Sequence, residues 1–386
     1  MSAAAAVRPA GGRDGRSPVL VGAVSGLAWA AALRAFMVEV AGPASTFGWI
    51  GTFEGILLPG AVAGGLLGWA EHLRRTGRHH PWLAAAPLVF VLFSPWVVVS
   101  MFVDGGLGGG ALAVPLFGMA GGYALAGRGS RPARWAAGAF ALVPVPTWLV
   151  AASAAGLGPP LGSARGAWTA VLFLSLLAVL SLGCALPHRG PPDPSRPAWR
   201  LVVAGAVCGL AWGAGMRGFM AAVAEPVSTV SWFGTFGVIL PAATIVGGLF
   251  GLAEHRRRTG GRARWRRLAL SPLVFGVDPG ALVLVLPAMA GGYALSGRGS
   301  RRGRWSTGSA ALLPVPAYLL VVHLLDDIGS LLTPHGAWAS VLLFSCYAVL
   351  VVACAIPHRA VGPGTGPART AVPAIGAVPG DPGEGS

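Results

Sequence analysis

The sequence predicts an all-α integral membrane protein with about twelve transmembrane helices, built as two six-helix repeats that cross the bilayer in the same direction. Three observations support this fold class. The chain of 386 residues is 54% hydrophobic and only 11% charged, whereas soluble proteins carry about 25% charged residues. Apolar stretches of about 20 residues, the length of a membrane-spanning helix, follow one another along the chain. Several motifs also occur twice in the same order.

Two pairs of motifs illustrate the repeat. The segment MAGGYALAGRGSR begins at Met119 and returns as MAGGYALSGRGSR from Met289. The segment GLAWAAALRAFM begins at Gly26 and returns as GLAWGAGMRGFM from Gly209. Because the motifs around them recur in the same order, we interpret the chain as a tandem duplication. Copy two is shorter because it lacks residues between Phe275 and Met289.

These boundaries predict the domain organisation. We expect a cytoplasmic N-terminal arm over residues 1–17, copy one over 18–189, a cytoplasmic linker over 190–199, copy two over 200–359 and a cytoplasmic tail over 360–386. The tail is rich in Gly and Pro and is predicted to be disordered.

Each copy contains six apolar stretches. In copy one they cover 18–40, 48–70, 81–103, 107–127, 134–156 and 166–186, and in copy two 200–223, 231–253, 268–277, 281–297, 305–325 and 336–356. The stretch 268–277 is too short to cross the hydrocarbon unaided. We expect it to be a short third helix that neighbouring helices shield from lipid.

The arginines predict the orientation. All 28 basic residues are arginine, and most lie in short clusters between apolar stretches. With a cytoplasmic N-terminus, the clusters at 71–80, 128–134, 187–200, 254–267 and 298–304 all face the cytoplasm, as the positive-inside rule requires. The sequence therefore predicts a multi-pass plasma-membrane protein with both termini in the cytoplasm. Abundant Ala, Gly and Arg without Lys are typical of a GC-rich bacterial genome.

Composition and motifs exclude several function classes. The net charge of +15 does not predict nucleic-acid binding, because the arginines flank apolar stretches and do not form one basic face. A chain without Lys cannot form a Walker A site or a lysine Schiff base. We find no G-x-S-x-G or H-E-x-x-H motif and no cluster with metal-ligand spacing. The sequence therefore predicts no enzymatic activity, no cofactor and no metal; the bilayer and a small molecule are the expected partners.

Three charged residues within predicted spans form the candidate substrate site. Arg34 and Arg217 occupy the same position in the first span of each copy, and Glu54 lies in the second span of copy one. Charged residues at this depth are costly and often functional. If the copies are related by a pseudo-twofold axis, both arginines could form a fork for an anionic solute, with Glu54 as a titratable group. Alternatively, each arginine is structural and either reaches the headgroups or pairs with a carboxylate such as Glu54.

Prolines interrupt the fifth span of each copy. Pro144 and Pro146 in copy one match Pro314 and Pro316 in copy two. Because each proline removes a helical hydrogen bond, these positions are candidate hinges or cavity-lining breaks. The alternative is a simple kink, since prolines are frequent in membrane helices.

Two further features predict packing and membrane depth. Gly121 and Gly122 of the MAGGYAL motif are expected to let a neighbouring helix approach closely. Trp168 and Trp338 open the sixth spans and are expected to be aromatic anchors at the outer membrane interface. Trp135 and Trp305, which occupy matching positions in the two copies, are expected to anchor the inner interface.

Two upright six-span copies resemble the plan of the major facilitator superfamily over most of the chain. The loop after the second span reads GWAEHLRRTGR, in which the spacing of Glu71 and Gly77 departs from that family's signature. The matched Arg34 and Arg217 are similar in position to the phosphate-binding arginines of organophosphate antiporters. The resemblance implies a secondary transporter that moves a small anionic or amphipathic solute by alternating access. A non-transporting membrane scaffold or accessory subunit is the alternative.

Overall fold

The computed structural model describes residues 16–78, 80–93, 110–154, 156–190, 197–224, 229–260, 263–325 and 331–359. Every regular element within these ranges is a helix. The predicted N-terminal arm as far as residue 15, most of the linker and the predicted tail lie outside the described residues.

The α-helices are numbered here along the described part of the chain. In copy one they are α1 (Arg16–Ala41), α2 (Leu58–Arg75), α3 (Val89–Phe93), α4 (Gly110–Ala126), α5 (Arg131–Leu142), α6 (Pro144–Ala154) and α7 (Ala164–Cys184). In copy two they are α8 (Ala198–Val223), α9 (Leu240–Arg258), α10 (Pro279–Leu295), α11 (Arg301–Ala310), α12 (Pro314–Leu325) and α13 (Pro334–Cys354). A π-helix leads into α2 (Trp49–Leu57) and into α9 (Phe233–Ile239). The 3-10 helices Pro81–Leu88 and Ala263–Val277 follow α2 and α9.

Eight helices in the described part of the chain are long and apolar enough to cross a membrane. They are Ser17–Ala44, Trp49–Arg75, Arg131–Ala154, Ala164–Cys184, Ala198–Val223, Phe233–Arg258, Arg301–His323 and Pro334–His358. Three shorter apolar helices cover Pro81–Phe93, Gly110–Ala126 and Gly280–Leu295. The all-helical character is therefore confirmed for the described residues, and the apolar helices are compatible with a multi-pass membrane protein.

Within the described residues, the helices in the third and fourth predicted stretches of each copy are shorter than the length needed to span a membrane. The stretch 268–277 lies within a 3-10 helix, not an α-helix. Pro272 lies inside that 3-10 helix, and Pro87 lies inside its counterpart in copy one. Because proline cannot donate the helical N–H bond, α-helix formation is disfavoured at both positions. The part of the predicted stretch 81–103 that follows Phe93 lies outside the described residues.

Glycines bring the first two long helices of each copy into backbone contact. A Cβ atom added to Gly64 of α2 would lie 2.8 Å from the Cα atom of Gly26 on α1. A Cβ atom added to Gly247 of α9 would lie 2.8 Å from the Cα atom of Gly209 on α8. Only a residue without a side chain permits such a close crossing. The two helix pairs therefore pack through the same contact.

The repeated MAGGYAL motif provides a second close contact. A Cβ atom on Gly122 of α4 would lie 2.5 Å from the Cβ atom of Cys184, at the end of α7. In copy two, Gly292 of α10 has the same relation to Cys354 of α13, also at 2.5 Å. The expected close helix approach at this motif is therefore present.

Four tryptophans link the central helices through hydrogen bonds from their indole N–H groups to backbone carbonyls. Trp29 of α1 donates its Nε1–H to the carbonyl of Leu176 on α7, at 2.8 Å. At the matching position of copy two, Trp212 of α8 donates to Cys346 on α13, at 2.9 Å. Each of these bonds joins the first and last long helices of one copy. The other two tryptophans join the copies to each other and are described with the site below.

Candidate functional site

A cavity of about 910 Å³ opens between the two copies where α1 and α8 end and α7 and α13 begin. Several of its lining residues occupy matching positions in the two copies. They pair as Ala35 with Gly218, Glu39 with Ala222, Arg165 with His335, and Trp168 with Trp338. Both copies therefore contribute equivalent positions to one concave surface.

Helix caps position the side chains that enter from α7 and α13. The Ser163 hydroxyl accepts from the backbone N–H of Gly166 at 3.0 Å, which starts α7. The Thr333 hydroxyl accepts from the N–H of Gly336 at 3.1 Å, which starts α13. Capping hydroxyls satisfy the free amides of a first turn. Arg165 and His335 consequently stand on the first turn of a fixed helix.

Trp168 and Trp338 are buried and join the copies. Their exposed fractions are 0% and 1%. Trp168 donates its Nε1–H to the carbonyl of Ala214 on α8, and Trp338 donates to Ala31 on α1, each at 3.1 Å. The prediction that they are interfacial anchors is therefore wrong. A buried indole N–H requires an acceptor, and here the other copy supplies it.

Trp135 and Trp305 differ from that pair, because they lie on the outer surface of the helix bundle. Their exposed fractions are 79% and 70%. Such exposure is typical of tryptophans that anchor a helix at a membrane interface.

An ion pair stands on one side of the cavity. The Nε and Nη2 atoms of Arg165 donate to the two carboxylate oxygens of Glu39, at 2.5 and 2.9 Å. The Glu39 side chain is 4% exposed and that of Arg165 is 41% exposed. The bidentate geometry ties the end of α1 to the start of α7. Copy two carries Ala222 and His335 at these positions, so the cavity is chemically asymmetric.

Arg34 donates hydrogen bonds to the loop that follows its own helix. The side chain is buried, and its Nη2 atom donates to the carbonyl of Thr46 at 2.7 Å. Its Nη1 atom donates to the Ser45 hydroxyl at 3.1 Å, and the guanidinium lies 4.1 Å from the ring centre of Phe47. Ser45 and Phe47 line the cavity, whereas Arg34 lies behind them.

Arg217 makes the matching contact in copy two. It is buried, and its Nη2 atom donates to the carbonyl of Thr229 at 2.9 Å. Its guanidinium lies 5.8 Å from the ring centre of Trp168. Arg34 and Arg217 therefore do not form the predicted fork. Neither arginine lines the cavity, because each donates a hydrogen bond to a backbone carbonyl of the loop that follows its own helix.

Glu54 lies apart from both arginines. It is exposed, within the π-helix Trp49–Leu57, and does not line the cavity. Among the described residues it forms no ion pair. The predicted pairing of Glu54 with Arg34 is therefore wrong, because the π-helix presents its side chain outward and the arginine binds loop carbonyl and hydroxyl oxygens instead.

The four prolines stand at helix breaks. α6 begins at Pro144 and α12 at Pro314, and both residues are buried, while Pro146 and Pro316 are exposed. Near the break in copy two, the Tyr347 hydroxyl donates to the carbonyl of Ala311 at 2.7 Å. None of the four prolines lines the described cavity. The prediction that they line the site therefore finds no support, and their role as hinges stays a prediction.

The described side chains offer no metal site. No group of three or more His, Cys, Asp or Glu residues within the described ranges could hold a metal ion.

Sequence reasoning missed the residues that line the cavity. Glu39, Arg165 and His335 were not predicted as site residues, although Arg165 is unusual as an arginine in a predicted outer loop. That placement against the positive-inside pattern is the signal that could have identified it.

Comparison with known proteins gives no relative: no protein-family model, no curated protein and no solved structure matches this chain.

Proposed function

We propose that the chain is a secondary transporter that moves a small anionic or amphipathic solute by alternating access. The observation that carries the proposal is the cavity of about 910 Å³ between the copies. A site at the interface of two repeats is where such transporters bind their solute. Its size lies within the range of about 300–1,000 Å³ that small-molecule sites occupy.

The proposal includes two six-helix copies related by a pseudo-twofold axis along the membrane normal. Two contacts support it. The Ala32 side chain of α1 lies against Gly215 of α8, and Ala35 lies against Gly218, which are the matching residues of copy two. Such in-register contacts are expected between parallel helices that meet at a twofold axis. The reciprocal bonds from Trp168 and Trp338 support the same relation.

We further propose that both termini are cytoplasmic and that the membrane is the plasma membrane. Arginines cluster where α2 and α9 end and where α5 and α11 begin, at the end of the bundle opposite the cavity. The positive-inside rule assigns that end to the cytoplasm. The cavity then opens to the outside, and the described conformation faces outward.

The charges around the cavity favour an anion. Arg165 faces the cavity, and Arg34 and Arg217 lie directly behind its wall. Glu39 is the one carboxylate among the described lining residues. In a low-dielectric wall, an excess of guanidinium groups attracts negative charge.

A ligand screen tests the proposal. Purified full-length protein is heated with panels of carboxylates, phosphates, sulfonates and neutral analogues, and each compound that raises the melting temperature is retested on Arg165→Gln. Arg301→Gln, which changes an exposed arginine at the other end of the bundle, is the matched control. We expect the shift to disappear in Arg165→Gln and to remain in Arg301→Gln.

Uptake of the same compound into vesicles distinguishes a transporter from a scaffold. Protein reconstituted into vesicles should accumulate the compound, and Arg165→Gln should reduce the initial rate at least tenfold. If no compound distinguishes the two variants and none enters the vesicles, the non-transporting scaffold is the better description.

A further inference from the structure

A second cavity, of about 260 Å³, lies near the arginine-rich end of copy one. Its walls come from α1, α2, α7, Phe90 of α3 and Leu186, which follows α7, and they are almost wholly apolar. Trp29 and Phe90 lie at its inner end, and Pro18, Glu71 and Leu186 lie towards the end of the bundle. The cavity is separate from the site between the copies.

Copy two fills the corresponding space. Four residues of the copy-one wall are replaced by larger ones in copy two: Gly60, Ala63, Leu67 and Gly183 correspond to Ala243, Val246, Phe250 and Ala353. Val246 and Phe250 are 3% and 5% exposed and belong to a packed cluster with Tyr347. The duplicated architecture can therefore close this space, and copy one leaves it open.

The end of the copy-one cavity that lies nearest the arginine-rich end of the bundle is positively charged. Glu71 accepts from the Nε atoms of Arg74 and Arg75, each at 2.6 Å, so two guanidiniums face one carboxylate. Arg74 also donates to the carbonyl of Gly190 at 3.0 Å, and the Nη2 atom of Arg128 lies beside Gly190. The region around Glu71 therefore carries a net positive charge.

Arg75 is suited to bind a phosphate. Its side chain is 52% exposed, and among the described residues only its Nε atom donates, to Glu71. The two terminal nitrogens remain available for a fork-like contact with phosphate oxygens. An apolar chamber with a cationic rim matches a hydrocarbon chain that carries an anionic head.

We propose that this cavity binds one acyl chain of an anionic phospholipid, whose phosphate is held by Arg75. The chamber supplies apolar burial along the chain. The arginines supply the charge complementarity, as basic pockets on the cytoplasmic side of membrane proteins do for anionic headgroups. This site does not depend on transport.

Photolabelling tests the site in the full-length protein. The protein is reconstituted into phosphatidylcholine vesicles that contain phosphatidylglycerol with a diazirine on one acyl chain, and labelled peptides are mapped after irradiation. We expect labelling within 18–29, 60–71 and 179–186 to exceed that of the lipid-facing residues Leu149 and Val150 at least fivefold. Equal labelling of both regions would overturn the proposal.

Two variants make the test specific. Leu67→Phe introduces the copy-two residue into the chamber and should reduce chamber labelling at least fivefold. Leu58→Phe makes the same change at a position of α2 that is 44% exposed and should leave it unchanged. Both variants should keep the melting temperature of the wild type. Undiminished chamber labelling in a folded Leu67→Phe protein would refute the site.

The headgroup is tested with a second probe. Arg75→Gln should lower phosphatidylglycerol labelling to the level obtained with a diazirine-labelled phosphatidylcholine, and that neutral probe should label wild type and Arg75→Gln equally. Equal labelling of the wild type by both probes would contradict an anionic ligand.

Discussion

Arg34 and Arg217 show how a charged side chain can be accommodated in an apolar helix bundle. Each binds the backbone carbonyl of the same residue type, a threonine, in the loop after its own helix. Each also lies near an aromatic ring, Phe47 or Trp168. A buried guanidinium requires such partners because its desolvation is costly. Both arginines therefore brace the cavity wall without entering the cavity.

The first prediction concerns these braces. Arg34→Met retains the length of the side chain but leaves the Thr46 carbonyl unpaired. It should lower the free energy of unfolding by about 2 kcal/mol, because hydrogen bonds to charged groups contribute about 1.5–3 kcal/mol. Arg217→Met, which loses one described bond, should cost about half as much. Detergent unfolding curves measure both, with Arg301→Met as the exposed control; equal values for all three would contradict the brace.

The second prediction concerns the ion pair at the cavity. Arg165→Met strands a buried Glu39 carboxylate and should destabilise the protein by about 3 kcal/mol, whereas Glu39→Ala leaves an arginine that can turn to water and should cost about 1 kcal/mol. The double change Glu39→Ala with Arg165→His reproduces copy two and should be milder than Arg165→Met alone. The same unfolding measurement tests this order. A larger loss of stability for Glu39→Ala than for Arg165→Met would contradict the assignment of Glu39 as the partner that cannot reach water.

At the residue scale, sequence reasoning identified the buried arginines but not their partners. Their position within an apolar span was visible in the sequence. The acceptors at Thr46 and Thr229 are backbone carbonyls, which every residue has, so the sequence carries no mark of them. Trp168 was misassigned for a similar reason, since a tryptophan near a helix end suits either a membrane interface or a helix contact.

At the scale of helices, backbone contact between glycines sets the position of α2 against α1. The third prediction compares two neighbouring glycines of α2. Gly64→Ala should destabilise the protein by about 2–3 kcal/mol, because the new Cβ meets backbone atoms that cannot move aside. Gly65→Ala meets no atom closer than 3.7 Å, which is ordinary van der Waals contact, and should be neutral or stabilising by up to about 1 kcal/mol. Thermal unfolding in detergent distinguishes the two variants. Similar losses of stability in both would show that α1 and α2 are not in backbone contact at Gly64.

The prolines at the helix breaks lead to the fourth prediction. Pro146→Ala and Pro316→Ala restore an N–H at exposed positions near the start of α6 and α12. Because proline is tolerated in a first turn, stability should change by less than about 1 kcal/mol. If the breaks act as hinges, the initial uptake rate of a solute found in the screen should nevertheless fall at least fivefold. Unchanged uptake in both variants would leave the prolines as static kinks.

The long helices were predictable because about 20 apolar residues with few charges leave little alternative. The π-helices at Trp49–Leu57 and Phe233–Ile239 and the 3-10 helix at Ala263–Val277 were not predicted. Apolar periodicity does not separate these forms from an α-helix over such short distances. That difference turned Glu54 outward and shortened the third stretch of copy two.

At the scale of the whole molecule, the orientation in the membrane leads to the fifth prediction. Single cysteines are introduced at Leu332 and Arg301 in a cysteine-free background; these residues lie near opposite ends of the bundle, and both are exposed. An impermeant thiol reagent added to intact cells should label Leu332→Cys but label Arg301→Cys only after the membrane is permeabilised. The reverse pattern would place the cavity on the cytoplasmic side.

The cavity between the copies could be foreseen only in outline. The duplicated motifs predicted that matching helices would face each other, and Ala32 and Gly215 do so. The sequence could not show which side chains of those helices reach the opening, because this depends on rotation about each helix axis. Glu39 and Arg165 are far apart in the chain, and only the fold makes them neighbours.

The unequal rims of the cavity have a consequence for any molecule that enters it. A cavity with true twofold symmetry would bind an asymmetric ligand in two equivalent orientations. Here one side of the cavity carries the Glu39 carboxylate paired with Arg165, and the other side carries Ala222 and His335. A ligand with two different ends is therefore expected to bind in one preferred orientation. A symmetric homodimer could not impose that preference, whereas a duplicated chain with unequal copies can.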